Sequence, residues 1–152
     1  ATKYYNEQNF SMAETLALEE LSFNPLNDNA IDVLAAVFLK TNQSVLLQKN
    51  SAKYLDTIRQ VAVMLNKLKM FSQARIFYQK ALEINPRDSV AWNNLGLIYE
   101  TLLDDENAKY CYEKSINVKQ NYEGLYNLGI YYRKQKDTQN GIKFINIICV
   151  NW

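Results

Sequence analysis

Apolar positions along this chain fall at helical rather than strand spacing, and they do so in blocks that recur. Ile58, Val61, Ala62 and Leu65 lie three or four residues apart, and Ala74, Tyr78 and Ala81 continue the pattern after a short break. That spacing lines one face of an α-helix, so it predicts two amphipathic helices joined by a turn. The second block recurs: Phe71-Ser72-Gln73-Ala74 through Asn85-Pro86 aligns with Phe10-Ser11-Met12-Ala13 through Asn24-Pro25. Farther on, Trp92-Asn93-Asn94-Leu95-Gly96-Leu97-Ile98-Tyr99 recurs as Leu125-Tyr126-Asn127-Leu128-Gly129-Ile130-Tyr131-Tyr132, which puts Gly96 and Gly129 33 residues apart. With only 4 glycines and 2 prolines in 152 residues, helices joined by short turns are expected throughout. Mid-helix glycine costs about 1 kcal/mol against alanine. Gly96 and Gly129 therefore predict places where one helix closely approaches another, with Ala62 in the same role.

These residues resemble the tetratricopeptide repeat, a 34-residue helix-turn-helix with the pattern W-x2-L-G-x2-Y followed by A-x3-F, A and P. With Ser89 as first position, Trp92, Leu95, Gly96, Tyr99, Ala108 and Tyr112 hold the pattern, while Ser115 and Gln120 are substitutions, the latter for proline. A preceding unit from Leu55 supplies Ile58, Val61, Ala62, Leu65, Ala74, Tyr78, Ala81 and Pro86. A following one from Tyr122 supplies Leu125, Leu128, Gly129 and Tyr132, then Gly141, Ile145 and Ile148 on a more degenerate second helix. The resemblance implies an all-α fold, a right-handed superhelical solenoid of antiparallel helix pairs.

Upstream the period loosens. Asn24-Pro25 predicts a new first helix near Asp28, with Asp28 as its cap and Ile31, Leu34, Ala35 and Phe38 on its apolar face. The interval from Asp28 to Leu55 is 27 residues, seven short of a full repeat. Either the second helix, around Ser44 to Ser51, is short, or Ser44 to Lys69 forms one long helix. Residues 1–27 read as the tail of an earlier repeat, with Tyr4 ending its first helix and Ala13 and Ala17 on its second. The expected organisation is one helical-repeat domain over 1–152: a partial repeat 1–27, a short degenerate repeat 28–54, and repeats 55–88, 89–121 and 122–152. The amino end has neither an initiator Met nor a basic stretch followed by an apolar one, so a fragment or processed form of a longer chain is expected.

Composition removes several functions. With 17 Lys+Arg against 16 Asp+Glu, the chain lacks the basic excess that neutralises many phosphates, so nucleic acid is not expected as a partner. Apolar runs such as Val61 to Leu65 and Ile147 to Val150 fall far short of the roughly 20 residues that span a bilayer, and no membrane insertion is expected. The chain has no histidine, which removes the usual proton-transfer group near neutral pH, Ser-His or Cys-His nucleophile activation, and most metal sites. Neither a phosphate-cradling glycine loop nor a dinucleotide fingerprint occurs. Asp104-Asp105-Glu106 is a tight acidic cluster, placed where carboxylates favour the start of the next helix more than they hold a cation. No catalytic residue, cofactor or metal is expected. Cys111 and Cys149 read as buried thiols on apolar helices rather than a disulfide, which fits a reducing, cytoplasmic compartment or the cytosolic side of an assembly.

The resemblance also implies a binding surface, because the first helix of each repeat lines the concave face where a partner segment lies. The first-helix residues not needed for packing are Arg59, Gln60, Val63 and Lys67 with Asp56; Asn93, Asn94 and Leu97 with Glu100; and Tyr126, Asn127, Ile130 and Arg133. Gln60, Asn94 and Asn127 share one repeat position, so their carboxamides are expected in a row able to bond an extended peptide backbone. This is similar to the asparagines of the repeat domain of O-linked N-acetylglucosamine transferase. Arg59, Tyr126 and Arg133 would meet partner side chains. The clamp that grips acidic chaperone tails is only partly matched: Arg59 and Asn94 fit it, but Val63, Glu123 and Asn127 replace an Asn and two basic residues, and Glu123 would repel a carboxylate. Residues 55–88 carry six basic and three acidic side chains, net +3, and residues 89–121 three and five, net −2. The apolar end, 141–152, lacks a polar outer face and is expected to contact a further repeat or another chain.

The expected function is a non-catalytic scaffold binding another protein or an extended peptide. The alternatives are the substrate-presenting lobe of a larger enzyme, such as a glycosyltransferase, or an architectural subunit of a large complex.

Overall fold

A computed structural model of the chain describes residues 1–6, 8–40, 51–119 and 122–151. Helices run over α1 Thr2–Asn6, α2 Phe10–Phe23, α3 Asp28–Lys40, α4 Ser51–Lys67, α5 Phe71–Ile84, α6 Ser89–Thr101, α7 Asp105–Val118, α8 Tyr122–Lys134 and α9 Thr138–Asn151, with no strand among the described residues. The fold is all-α and built from antiparallel helix pairs. The expected helix around Ser44 to Ser51 lies outside the described residues apart from Ser51 itself, and Gln120 is outside them too. Two compact units, Ala1–Pro86 and Arg87–Trp152, make up the chain.

In the first unit the predicted face is the buried one. Ile58, Val61, Ala62, Leu65, Ala74, Tyr78 and Ala81 are all buried, along with Leu34, Val37 and Phe38 of α3. Phe38 meets Phe77 edge-on at 5.7 Å, which joins α3 to α5. Lys80 is buried as well. Its ammonium sits 2.7 Å from Glu83 Oε2 and 5.4 Å above the Phe38 ring, so the charge keeps a carboxylate and an aromatic face as partners.

In the second unit the two glycines do what their cost implies. A Cβ on Gly96 would lie 2.6 Å from Tyr112 Cε1, and one on Gly129 would lie 3.2 Å from Ile145 Cγ1 and 3.4 Å from the Gly141 carbonyl oxygen. Ser115, a departure from the repeat pattern, is fully buried because its hydroxyl donates to the Ser89 carbonyl at 2.8 Å. A small polar group replaces a methyl there without leaving an unpaired donor.

The turns inside each pair are built alike. At the ends of α1, α4, α6 and α8 the residues Gln8, Lys69, Leu103 and Lys136 take φ near 60°. Each N–H bonds back three residues and the next N–H bonds back five, as in Leu103 N to Glu100 O at 3.1 Å and Asp104 N to Tyr99 O at 2.9 Å. This is the Schellman closure of a helix, made here without glycine. In three of the four turns the following residue also caps the next helix. Asn9 Oδ1 accepts from Met12 N, Asp104 Oδ1 from Asn107 N and Asp137 Oδ1 from Asn140 N. One residue thus closes one helix and opens the next, which makes the turn tight. Met70 occupies that place before α5 and has no side-chain cap to offer. After Asn24-Pro25, Asn27 rather than the expected Asp28 caps α3, accepting from Ala30 N at 3.0 Å. The reason is the register, since Asp28 is already the first helical residue.

Candidate functional site

Two grooves contain most of the predicted contact residues. In the first unit, Arg59, Gln60, Val63 and Lys67 line a groove of about 350 Å³ together with Asp56 and Met64, all from α4. Residues three and four apart share a helix face, which is why this stripe points one way. Arg59 Nη1 lies 3.6 Å from Asp56 Oδ1, so its charge is partly answered on its own helix.

In the second unit, Asn93, Asn94 and Leu97 of α6 meet Tyr122, Glu123, Tyr126 and Asn127 of α8 and Ile148 of α9 around a groove of about 440 Å³. The floor differs from the expected amide row. Asn93 is 5% exposed, and its Oδ1 accepts from Asn127 Nδ2 at 2.9 Å, 34 residues apart in sequence. The amide that Asn127 meets is therefore Asn93 and not its pattern counterpart Asn94. The walls are apolar and open, with Leu97 38% and Tyr126 55% exposed. Glu123 is the one charged side chain among the described lining residues.

Ile130 and Arg133 do not line this groove; they lie farther along α8, Ile130 half-buried and Arg133 exposed. Glu100, on the first-helix face in sequence, is occupied instead. It accepts the Tyr112 hydroxyl at 2.7 Å and the Lys134 ammonium. Burial pushes the Glu100 carboxyl up, but the bonds from Lys134 and Tyr112 and the Lys134 charge outweigh it and hold the group below its ordinary value. The same geometry pushes the Tyr112 hydroxyl upward, through burial first and Glu100 second, so Tyr112 stays a neutral donor.

Ile148 entered the groove unannounced, since it was expected on a packing stripe or against another chain. Its only signal was sequence position, seven residues after Gly141 on the stripe that faces α8. Cys111 is buried and its thiol is pushed up to about 12 by burial and then by Asp104. Cys149 is exposed, contrary to the expectation of a second buried thiol. Eight residues on from Gly141, it falls at the edge of the α9 stripe rather than its centre. Both thiols are free. Asp104 is spent on capping α7 and on Asn107 Nδ2 at 2.9 Å, and Asp105 Oδ2 accepts from Gln135 at 2.8 Å. No group of three or more His, Cys, Asp or Glu among the described residues is placed to hold a metal ion. Nor is any described helix long and apolar enough to cross a membrane.

Two models described as tetratricopeptide repeat match the chain, over residues 60–88 and 77–110. An N-terminal acetyltransferase A complex subunit-like protein of Schizosaccharomyces pombe is 30% identical over 97 residues, 64% of this chain and 14% of that protein. The protein ycf37 of Pyropia yezoensis is 44% identical over 50 residues, 33% of this chain and 28% of that one. The chain thus matches less than a third of the length of either relative. Among solved structures, MamA residues 41 to the end from Desulfovibrio magneticus RS-1 is similar with a TM-score of 0.62 at 17% identity, covering 87% of this chain and 72% of that one. Pseudomonas aeruginosa pilF is similar with a TM-score of 0.59 at 17% identity, covering 99% of this chain and 72% of that one. At such identities the likeness establishes the fold.

Proposed function

We propose that this chain, which is a tetratricopeptide-repeat protein, is a non-catalytic scaffold that holds an extended segment of another polypeptide, with residues 1–152 working as one repeat domain. The observation that carries this is the second unit's groove, where amides from two successive first helices lie between exposed apolar and aromatic walls. Amides offer a donor and an acceptor at once, which is what a peptide backbone needs, and the walls offer area to its side chains. Arg59, Gln60, Val63 and Lys67 form the corresponding contact surface on α4. The compartment is the cytoplasm or the cytosolic side of an assembly, in keeping with two unpaired thiols.

Random-sequence linear peptides displayed on phage, selected on the whole chain, test this. Asn127 is a poor probe, because removing it strands the buried Asn93 carbonyl. Tyr126→Ala and Leu97→Asp are cleaner. Selected peptides should lose about tenfold or more in affinity for each variant, with helical circular dichroism unchanged. If every selected peptide ignores both substitutions, the groove is not the binding surface.

A second reading, an architectural subunit, is favoured by the apolar α9. Val150 is 82% exposed and Ile142 is exposed as well. The relative from S. pombe, named for a complex subunit, is consistent with it. Self-association or partner assembly lost on Ile142→Asp would support it over the peptide scaffold.

A further inference from the structure

We infer that the second unit's groove selects an extended segment in which an apolar side chain lies two positions from a lysine or arginine. This rests on the peptide-scaffold function proposed above and names the chemistry of the segment. Three observations carry it. The walls, Leu97, Tyr126 and Ile148, come from three different helices and are apolar or aromatic, so the volume of about 440 Å³ between them suits an uncharged side chain. The Asn93–Asn127 bond at 2.9 Å uses one donor and one acceptor of the pair. Asn127 Oδ1 remains to accept from a backbone N–H, and the Asn93 amide protons remain to donate to a backbone C=O. Glu123 is the sole formal charge among the described lining residues and is exposed, so it is solvated when empty and available to a cation.

The spacing follows from geometry. Glu123 and Tyr126 are three residues apart on α8, which puts their Cβ atoms about 5–6 Å apart on one face. An extended chain advances about 3.3 Å per residue and returns to the same side every second residue, a repeat of about 6.6 Å. A side chain seated on Tyr126 and a cation beside Glu123 therefore belong to residues i and i+2, or i and i−2. Acidic segments are disfavoured, since a carboxylate at that place meets Glu123 with no basic residue among the described lining to offset it.

The test uses the same displayed random peptides on the whole chain. Enriched sequences should carry Leu, Ile, Met or Phe two positions from Lys or Arg. A purified peptide of that kind should bind about threefold more weakly to Glu123→Gln and about tenfold more weakly to Glu123→Lys, as expected for losing and then reversing an exposed ion pair. Selection on Glu123→Lys should replace the basic residue by Asp or Glu. Peptides that depend on Tyr126 and Leu97 yet show no such pair, or ignore Glu123→Lys, overturn this inference and leave the scaffold function standing. Peptides indifferent to Tyr126→Ala and Leu97→Asp overturn both.

Discussion

The α6–α7 and α8–α9 pairs share a glycine at the same repeat position and use it differently. In α6–α7 the space over Gly96 is filled by the Tyr112 ring, whose hydroxyl reaches on to Glu100. In α8–α9 the space over Gly129 is shared by the Ile145 side chain and the backbone of Gly141, which faces it. A Cβ on either glycine comes within 3.4 Å of the other's carbonyl oxygen. The first is a large side chain keyed into a missing one; the second brings two helix backbones together. One sequence position thus serves close approach in both pairs, but the group across from it sets how much a substitution hurts.

The largest effect should come from Gly96→Ala. Its Cβ would fall within 2.7 Å of two Tyr112 ring carbons, and that ring is fully buried and held through its hydroxyl by Glu100. We expect a loss of about 2–3 kcal/mol in denaturant unfolding, typical of overpacking. Gly96→Ala with Tyr112→Leu should recover part of it. Gly129→Ala should instead change stability by less than about 1 kcal/mol, because its tightest contact is 3.2 Å to a half-exposed isoleucine and helix propensity gains a similar amount. Equal losses at the two glycines would erase the distinction.

The turns extend the comparison to the first unit. Asp104 and Asp137 cap α7 and α9, whereas Met70 leaves α5 without a side-chain cap. Met70→Asp should raise stability by about 1 kcal/mol, read as a higher urea midpoint. Leu103 takes φ 61° with its side chain 88% exposed. Leu103→Gly should add about 0.5–1 kcal/mol, since glycine carries no Cβ penalty in that conformation.

The smallest effect is one of pH. The Glu100 carboxyl is held below its ordinary 4.5 in the folded chain, so its contribution is present above that value and is lost as pH falls through the lower folded one. Glu100→Gln should flatten that acid limb of a stability–pH curve and leave the neutral region lower but parallel. No flattening would mean that Lys134 and Tyr112 do not bias its ionisation.

Much of the fold was legible in the sequence. The period alone located Ile58, Val61, Ala62, Leu65, Ala74, Tyr78 and Ala81, all buried, because packing in a repeat is set by near neighbours at fixed spacing. The groove was less legible. The pattern aligned Asn94 with Asn127, yet Asn93 is the partner, because adjacent asparagines differ by about 100° around a helix and only tertiary packing decides which faces the next repeat. Glu100 looked like an open contact until Lys134 and Tyr112 took it. Ile148 and Cys149 were assigned by apolarity, which does not say which edge of a terminal helix is covered.

The most direct measurement places a photo-crosslinking amino acid at Leu97, inside the groove, and at Tyr110, exposed on α7 and outside it, and exposes each to a selected peptide. Crosslinking at Leu97 with none at Tyr110 is the predicted result; crosslinking at Tyr110, or at neither, would contradict a partner segment held in the groove.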